Sequence, residues 1–226
     1  MKSLYLILIL GTLAGPLMLS FDKNVRYFKS WKSALLSSLI IAVPFLIWDA
    51  FFTEQLFWGF NEEYLLGIYL FNLPLEEVLF FIIIPFACTF IYEVCKYFFR
   101  SYSLKFLNKA IYFAIPIYAF ILLSLGDFGY YTMSVQISST LILIWMILNA
   151  DLRYLGLAFI ISLIPFIIVN GILTGSLTEN PVVWYSEAQI VSPRILTIPM
   201  EDILYSFTLV VANMILFEKL QRRFSK

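Results

Sequence analysis

No histidine occurs among the 226 residues, charged side chains make up only 13% of them, and cysteine appears twice. Each scarcity excludes something. Without histidine the chain lacks the commonest metal ligand and the commonest general base, so proton chemistry falls to carboxylates, tyrosine or lysine. The 15 basic and 15 acidic residues cancel, which argues against a nucleic-acid partner and against electrostatic attachment to a lipid surface. Cys88 and Cys95 stand seven residues apart on one predicted helix, too far along a straight axis for a disulfide, and read as packing residues. There is no G-x-G-x-x-G after a strand, no P-loop, no G-x-S-x-G elbow and no metal-ligand cluster. No nucleotide or flavin domain is encoded, and neither a cofactor nor a metal is expected.

What the chain holds in excess is apolar surface, with 62% hydrophobic and 19% aromatic residues. That is more than a soluble domain of this size can bury, so the sequence reads as an all-α, polytopic membrane protein in contact with membrane lipid. Segments of spanning length, about twenty residues each, fall at 4–21, 33–53, 74–99, 108–125, 130–149, 154–173 and 199–218. Seven transmembrane helices are therefore expected. Lys23, Arg26, Lys29, Lys32, Lys96, Arg100, Lys105, Lys109, Arg153, Lys219, Arg222, Arg223 and Lys226 share one end of that arrangement, against Lys2 and Arg194 at the other. Positive residues stay cytoplasmic, which predicts a multi-pass cell-membrane protein with its N-terminus outside and its C-terminus in the cytoplasm. A cleaved signal peptide over residues 1–20 is disfavoured, because no small-x-small site follows and the next segment is strongly basic.

The acids divide the opposite way. Asp22, Glu93, Asp151 and Glu218 fall at the basic end, and the other eleven, Asp127 among them, at the outer end. Two outer pairs share a pattern: Pro74-Leu75-Glu76-Glu77 recurs as Pro199-Met200-Glu201-Asp202, 125 positions on, at the head of another long apolar run. Phe80 recurs as Tyr205 and Glu93 as Glu218 at the same offset. The spacing predicts a single membrane domain over 1–226 built as two parallel three-helix repeats, 1–100 and 128–226, with a connecting helix in 101–127.

Proline fits a first helical turn, so Pro74 and Pro199 mark helix starts and put the acid pairs in the first turn. Solvated acids at a helix start are common and inexpensive. Duplication at equivalent positions, with Phe80, Phe81 and Tyr205 one turn deeper, favours function instead. A carboxylic acid beside aromatic faces can deliver a proton and then stabilise the resulting carbocation, and a hydrocarbon would suit such a site. Glu76, Glu77, Glu201 and Asp202 are the catalytic candidates. Trp48, Asp49, Phe80, Phe81, Tyr205 and Asn170 are the candidates for substrate binding, Asp49 because it interrupts an apolar run and Asn170 because it occupies a similar place in the second copy. Phe51, Phe52, Phe57, Trp58, Trp184 and Tyr185 read rather as an interfacial aromatic belt. Glu93 and Glu218 are explained by helix-end pairing with Lys96 or Lys219.

The segments FNLPLEEVLFF at 71–81, NGILTG from Asn170, PVVWY ending at Tyr185 and RILTIPMEDILY ending at Tyr205 resemble the lycopene cyclases of the heterodimeric type. In that family the repeats occur as separate subunits, fused in one chain, or joined to phytoene synthase in fungal bifunctional enzymes; this sequence resembles the fused, stand-alone form. The resemblance implies an intramolecular lyase or isomerase, a lycopene β-cyclase, that closes the ψ end groups of lycopene into the β-ionone rings of β-carotene without net oxidation. It implies a lipophilic carotenoid partner, and it leaves room for a homo-oligomer or an association with other carotenoid enzymes. The family's motif acids correspond to Glu76, Glu77, Glu201 and Asp202. Two other classes share the helix count: a retinal protein, which needs a lysine within the seventh helix where residues 199–218 have none, and a proton-coupled transporter, which would carry more polar residues through 82–92 and 207–217.

Overall fold

The computed structural model describes residues 2–125, 129–191 and 193–224. Asp127 and Lys226, assigned above to opposite ends of the molecule, lie outside the described residues. Seven helices carry the chain: α1 (Leu4–Leu19), α2 (Trp31–Glu54), α3 (Leu75–Phe98), α4 (Lys105–Ser124), α5 (Tyr130–Leu148), α6 (Leu155–Leu173) and α7 (Glu201–Phe224). The all-α polytopic architecture is as the sequence predicts. Six of the helices, α2 to α7, are long and apolar enough to cross a bilayer. The first, α1, has 16 residues and rises only about 24 Å, short of a hydrocarbon core of about 30 Å.

The innermost helices are α3 and α7, which pack on each other and on α2, α5 and α6. Most of α7 between Glu201 and Glu218 is buried among these neighbours. On the outside, α1 lies mainly against α3, and α4 against α5 and α6.

Short strands cap the acid-rich end. They are β1 (Trp58–Phe60), β2 (Tyr69–Leu70), β3 (Leu73–Pro74), β4 (Val183–Tyr185), β5 (Arg194–Ile195) and β6 (Ile198–Pro199). The β2–β3 and β5–β6 hairpins correspond residue for residue at the 125-residue offset. Each turns through a non-glycine residue in the left-handed region, Phe71 (φ 56°) in one and Leu196 (φ 58°) in the other. In the antiparallel β1–β4 pair, Gly59 faces Trp184, its own counterpart at that offset. A Cβ at Gly59 would come within 2.4 Å of the Trp184 ring, so glycine is required where the indole crosses.

Two sequence expectations shift by a few residues. Pro74 and Pro199 close β3 and β6 just ahead of the helices instead of entering the first turn. Pro74 has φ −64° and ψ 148°, an extended conformation that proline tolerates because its partner needs no N–H from it. Helix α7 also runs past the predicted end at 218 to Phe224. Glu218 there pairs with Lys96 (2.8 Å) and Arg222 (3.1 Å), while Lys219 lies over the Trp145 ring. Adjacent helical residues point apart, so Lys219 cannot serve its neighbour.

Candidate functional site

Successive residues on a helix diverge by about 100°, so the members of an acid pair cannot face one place. The structure separates them. Glu76 is fully buried and accepts a hydrogen bond from the backbone N–H of Leu66 at 2.6 Å. Glu201, also fully buried, accepts from the backbone N–H of Val191 at 2.7 Å and from Thr132 Oγ1 at 2.6 Å. Leu66 and Val191 are again 125 residues apart. The first acid of each motif thus ties the preceding loop to the start of its helix.

The second acids, Glu77 and Asp202, line one cleft under the β1–β4 pair. Tyr5 of α1 donates its hydroxyl to Glu77 Oε2. Asp202 accepts from Tyr131 of α5 at 2.6 Å, from Asn170 Nδ2 of α6 at 2.7 Å and from Tyr185 of β4 at 3.0 Å. A third carboxyl, Asp49 of α2, lines the same cleft at 2% exposure. It accepts from the Trp58 indole N–H, and its Oδ2 has no protein partner. Burial, and then the neighbouring Asp202, hold the Tyr185 phenol well above its usual range, so Tyr185 remains a neutral donor to the carboxyl.

Aromatic rings form the remaining wall. Trp58 stands 5.0 Å from Tyr131 and 6.1 Å from Tyr185, edge to face. Tyr131 stacks on Tyr185 at 5.9 Å, and Tyr205 lies 6.3 Å from Trp58. Phe80 and Phe166 close the membrane side. No lysine or arginine lines this space. Three carboxyls, four hydroxyl or indole donors and several ring faces therefore converge on an apolar volume, an arrangement that can move a proton and stabilise a cation.

Of the residues predicted from sequence, Asp49, Glu77, Phe80, Asn170, Asp202 and Tyr205 meet at this cleft. Four do not line it. Glu76 and Glu201 turn to the loops, Trp48 packs behind Tyr205 at 5.1 Å, and Phe81 packs against Phe45 at 5.8 Å. Sequence reasoning missed Tyr5 and Tyr131 and left Trp58 and Tyr185 in an aromatic belt. A signal existed for the first two: Tyr131 follows Tyr5 by 126 positions, so each repeat opens with a tyrosine that reaches the second acid of its own motif.

Comparison with protein families matches residues 2–95 and 128–220 to lycopene cyclase. The stretch left between them is the one that holds α4. No curated protein and no solved structure matches the chain. Because the two matched stretches cover most of the sequence and contain both helix starts that supply the cleft, the chain belongs to the lycopene cyclase family, as a membrane-embedded carotenoid cyclase.

Proposed function

We propose that the chain is a lycopene β-cyclase whose reaction takes place in the cleft between Glu77, Asp49 and Asp202. The observation that carries this reading is the meeting of carboxyls from both repeats with aromatic faces in one buried, apolar space. Glu77 and Asp49 line the same buried cleft, and on this reading the two carboxyls hold one proton between them, since like charges in so apolar a site are costly. That pair is the acid: it protonates C2 of the terminal C1=C2 bond of a ψ end group. The cation formed at C1 is stabilised by the faces of Trp58, Tyr131 and Tyr205. The C5=C6 bond attacks C1 and closes the ring, leaving a cation at C5. Asp202, which receives three hydrogen bonds, is the ionised base that removes the C6 proton. One proton enters and one leaves, so nothing is oxidised.

The same reading gives Glu76, Glu201, Trp48 and Phe81 supporting roles, the acids as loop anchors and the rings as packing behind the cleft wall. It divides the chain into repeats at 1–100 and 128–226 joined by 101–127, with the N-terminus outside and the C-terminus in the cytoplasm. Incubation of membranes containing the chain with unlabelled lycopene in D₂O tests it. β-Carotene carrying one deuteron at C2 of each ring is the expected product. Unchanged lycopene, with the protein folded in the membrane, would overturn the assignment, and an active Glu77→Gln enzyme would defeat the acid.

A further inference from the structure

The cleft continues inward. Phe80, Phe166, Asn170 and Tyr205 line both it and a second, almost wholly apolar slot between α3, α6 and α7. Along α3 the slot touches Phe80, Ile84, Ala87, Cys88 and Ile91, a one-faced helical stripe. From Phe80 to Ile91 it runs about 16 Å along the axis. On α6 it runs from Asn170 back to Phe159, the same rise in the opposite chain direction. Its volume exists because small side chains, Ala87, Cys88, Ser162 and Ser206, stand where larger ones would meet.

The repeat predicts a second slot, between α7, α2 and α3, and that space is filled. Ser206 corresponds to Phe81 at the 125-residue offset. Phe81 is 1% exposed and packed with Ala42, Phe45 and Leu209. Phe45 and Phe166 each follow the helix-interior proline of α2 or α6 directly. Phe45 stands 5.3 Å from Tyr205 and closes its side, while Phe166 lines the open one. One replacement, serine for phenylalanine, thus separates a slot from a packed core.

We propose that this slot seats the polyene tail while one ψ end group occupies the acid cleft, so that the enzyme takes a linear carotenoid end-on, one end at a time. This rests on the cyclase reading of the cleft. Continuity through four shared residues, an apolar lining and the absence of a charged side chain fit a conjugated hydrocarbon and no polar ligand. An extended acyclic carotenoid is about as long as the hydrocarbon core is thick, ~30 Å, so about half of it fits and the far half leaves the slot for lipid. Its exit lies beside α1, which supplies Thr12 to the lining and touches α6 only lightly. At Gly15, on the Thr12 side of α1, a Cβ would meet nothing within 4 Å. For the second ring to form, the molecule must withdraw and re-enter reversed.

Binding can be read without turnover. In the Glu77→Gln/Asp202→Asn chain, lycopene is expected to co-purify with the protein, measured as pigment absorbance per chain. Adding Ser206→Phe, which copies the filled side, or Ala87→Phe from the facing helix should lower bound lycopene at least tenfold. Ile137→Phe, on an exposed face of α5, should leave it unchanged. In the otherwise wild-type chain both slot substitutions should slow lycopene cyclisation at least tenfold, with the thermal unfolding midpoint retained; Ser206→Leu replaces any variant that loses it. Undiminished binding or cyclisation in the filled slot overturns this inference and leaves the acid cleft standing. A neutralised chain that binds no lycopene, together with a wild type that does not cyclise it, overturns both.

Discussion

At the scale of single residues, a carboxyl's role follows from which way its helix turns it. Glu76 and Glu77 are neighbours in sequence, yet one meets a backbone N–H and the other a tyrosine in the cleft. Glutamine retains an acceptor oxygen for the Leu66 N–H, so Glu76→Gln should leave turnover within an order of magnitude of wild type. Glu77→Gln removes the transferable proton and should cost about 10²–10⁴-fold. Asp202→Asn removes the base and should cost as much. Initial rates on lycopene in membranes, normalised to protein, check the contrast; equal losses at Glu76 and Glu77 would mean the anchor role is wrong. Glu76→Ala leaves the Leu66 donor unpaired and should lower stability by about 1–3 kcal/mol, read as a fall in thermal midpoint.

At the scale of elements, α3 and α7 are joined at both ends. At the acid end they share the cleft, and within the membrane Asn213 donates to the Pro85 carbonyl at 3.0 Å, a cross-helix hydrogen bond in the buried interior. At the basic end Lys96 holds Glu93 and Glu218 at 2.8 Å each and donates to Gln221 at 2.9 Å. The two glutamates are only 13% and 10% exposed. Lys96→Met would leave Glu93 without its cation and Glu218 with Arg222 alone, and a loss of about 1–3 kcal/mol is expected, below the full cost of an unpaired buried charge because water still reaches the cluster. Glu93→Gln in the same chain should restore part of it. A thermal-unfolding double-mutant cycle that shows simple additivity would rule out the coupling.

For the whole molecule, charge separation and the repeat act together. The strongly basic connection between α1 and α2 and the tail of α7 share one end, opposite the hairpins and the cleft. In the proposed division, two repeats of three helices joined by one connecting helix run parallel, so both acid motifs reach the same end and can meet. In the proposed orientation, which rests on the positive-inside rule, that end is the outer one. A fluorescent protein fused to the C-terminus should fold and fluoresce inside the cell, whereas a small epitope at the N-terminus should be reached by antibody in intact spheroplasts. A C-terminus accessible from outside would reverse the orientation and put the cleft on the cytoplasmic side.

The sequence by itself determined the membrane class, six of the seven expected spans, the offset of 125 residues and the elements that carry the acids. These properties rest on composition, hydrophobic run length and proline placement, which act locally and need no partner. It also brought Glu77, Asp202, Asp49, Asn170, Phe80 and Tyr205 into candidacy, because polar groups at membrane depth are costly wherever the chain goes. Only tertiary structure decided which acid of each pair faces inward, since that depends on helix rotation against neighbours. It alone drew Tyr5 and Tyr131 from distant helices onto the carboxyls, and Trp58 and Tyr185 out of an apparent belt, through a strand pair that forms between repeats. The open slot between α3, α6 and α7 was decided at the same level. Serine at 206 and phenylalanine at 81 are both ordinary membrane-helix residues, and the volume that one leaves and the other fills exists only once three helices have closed around it.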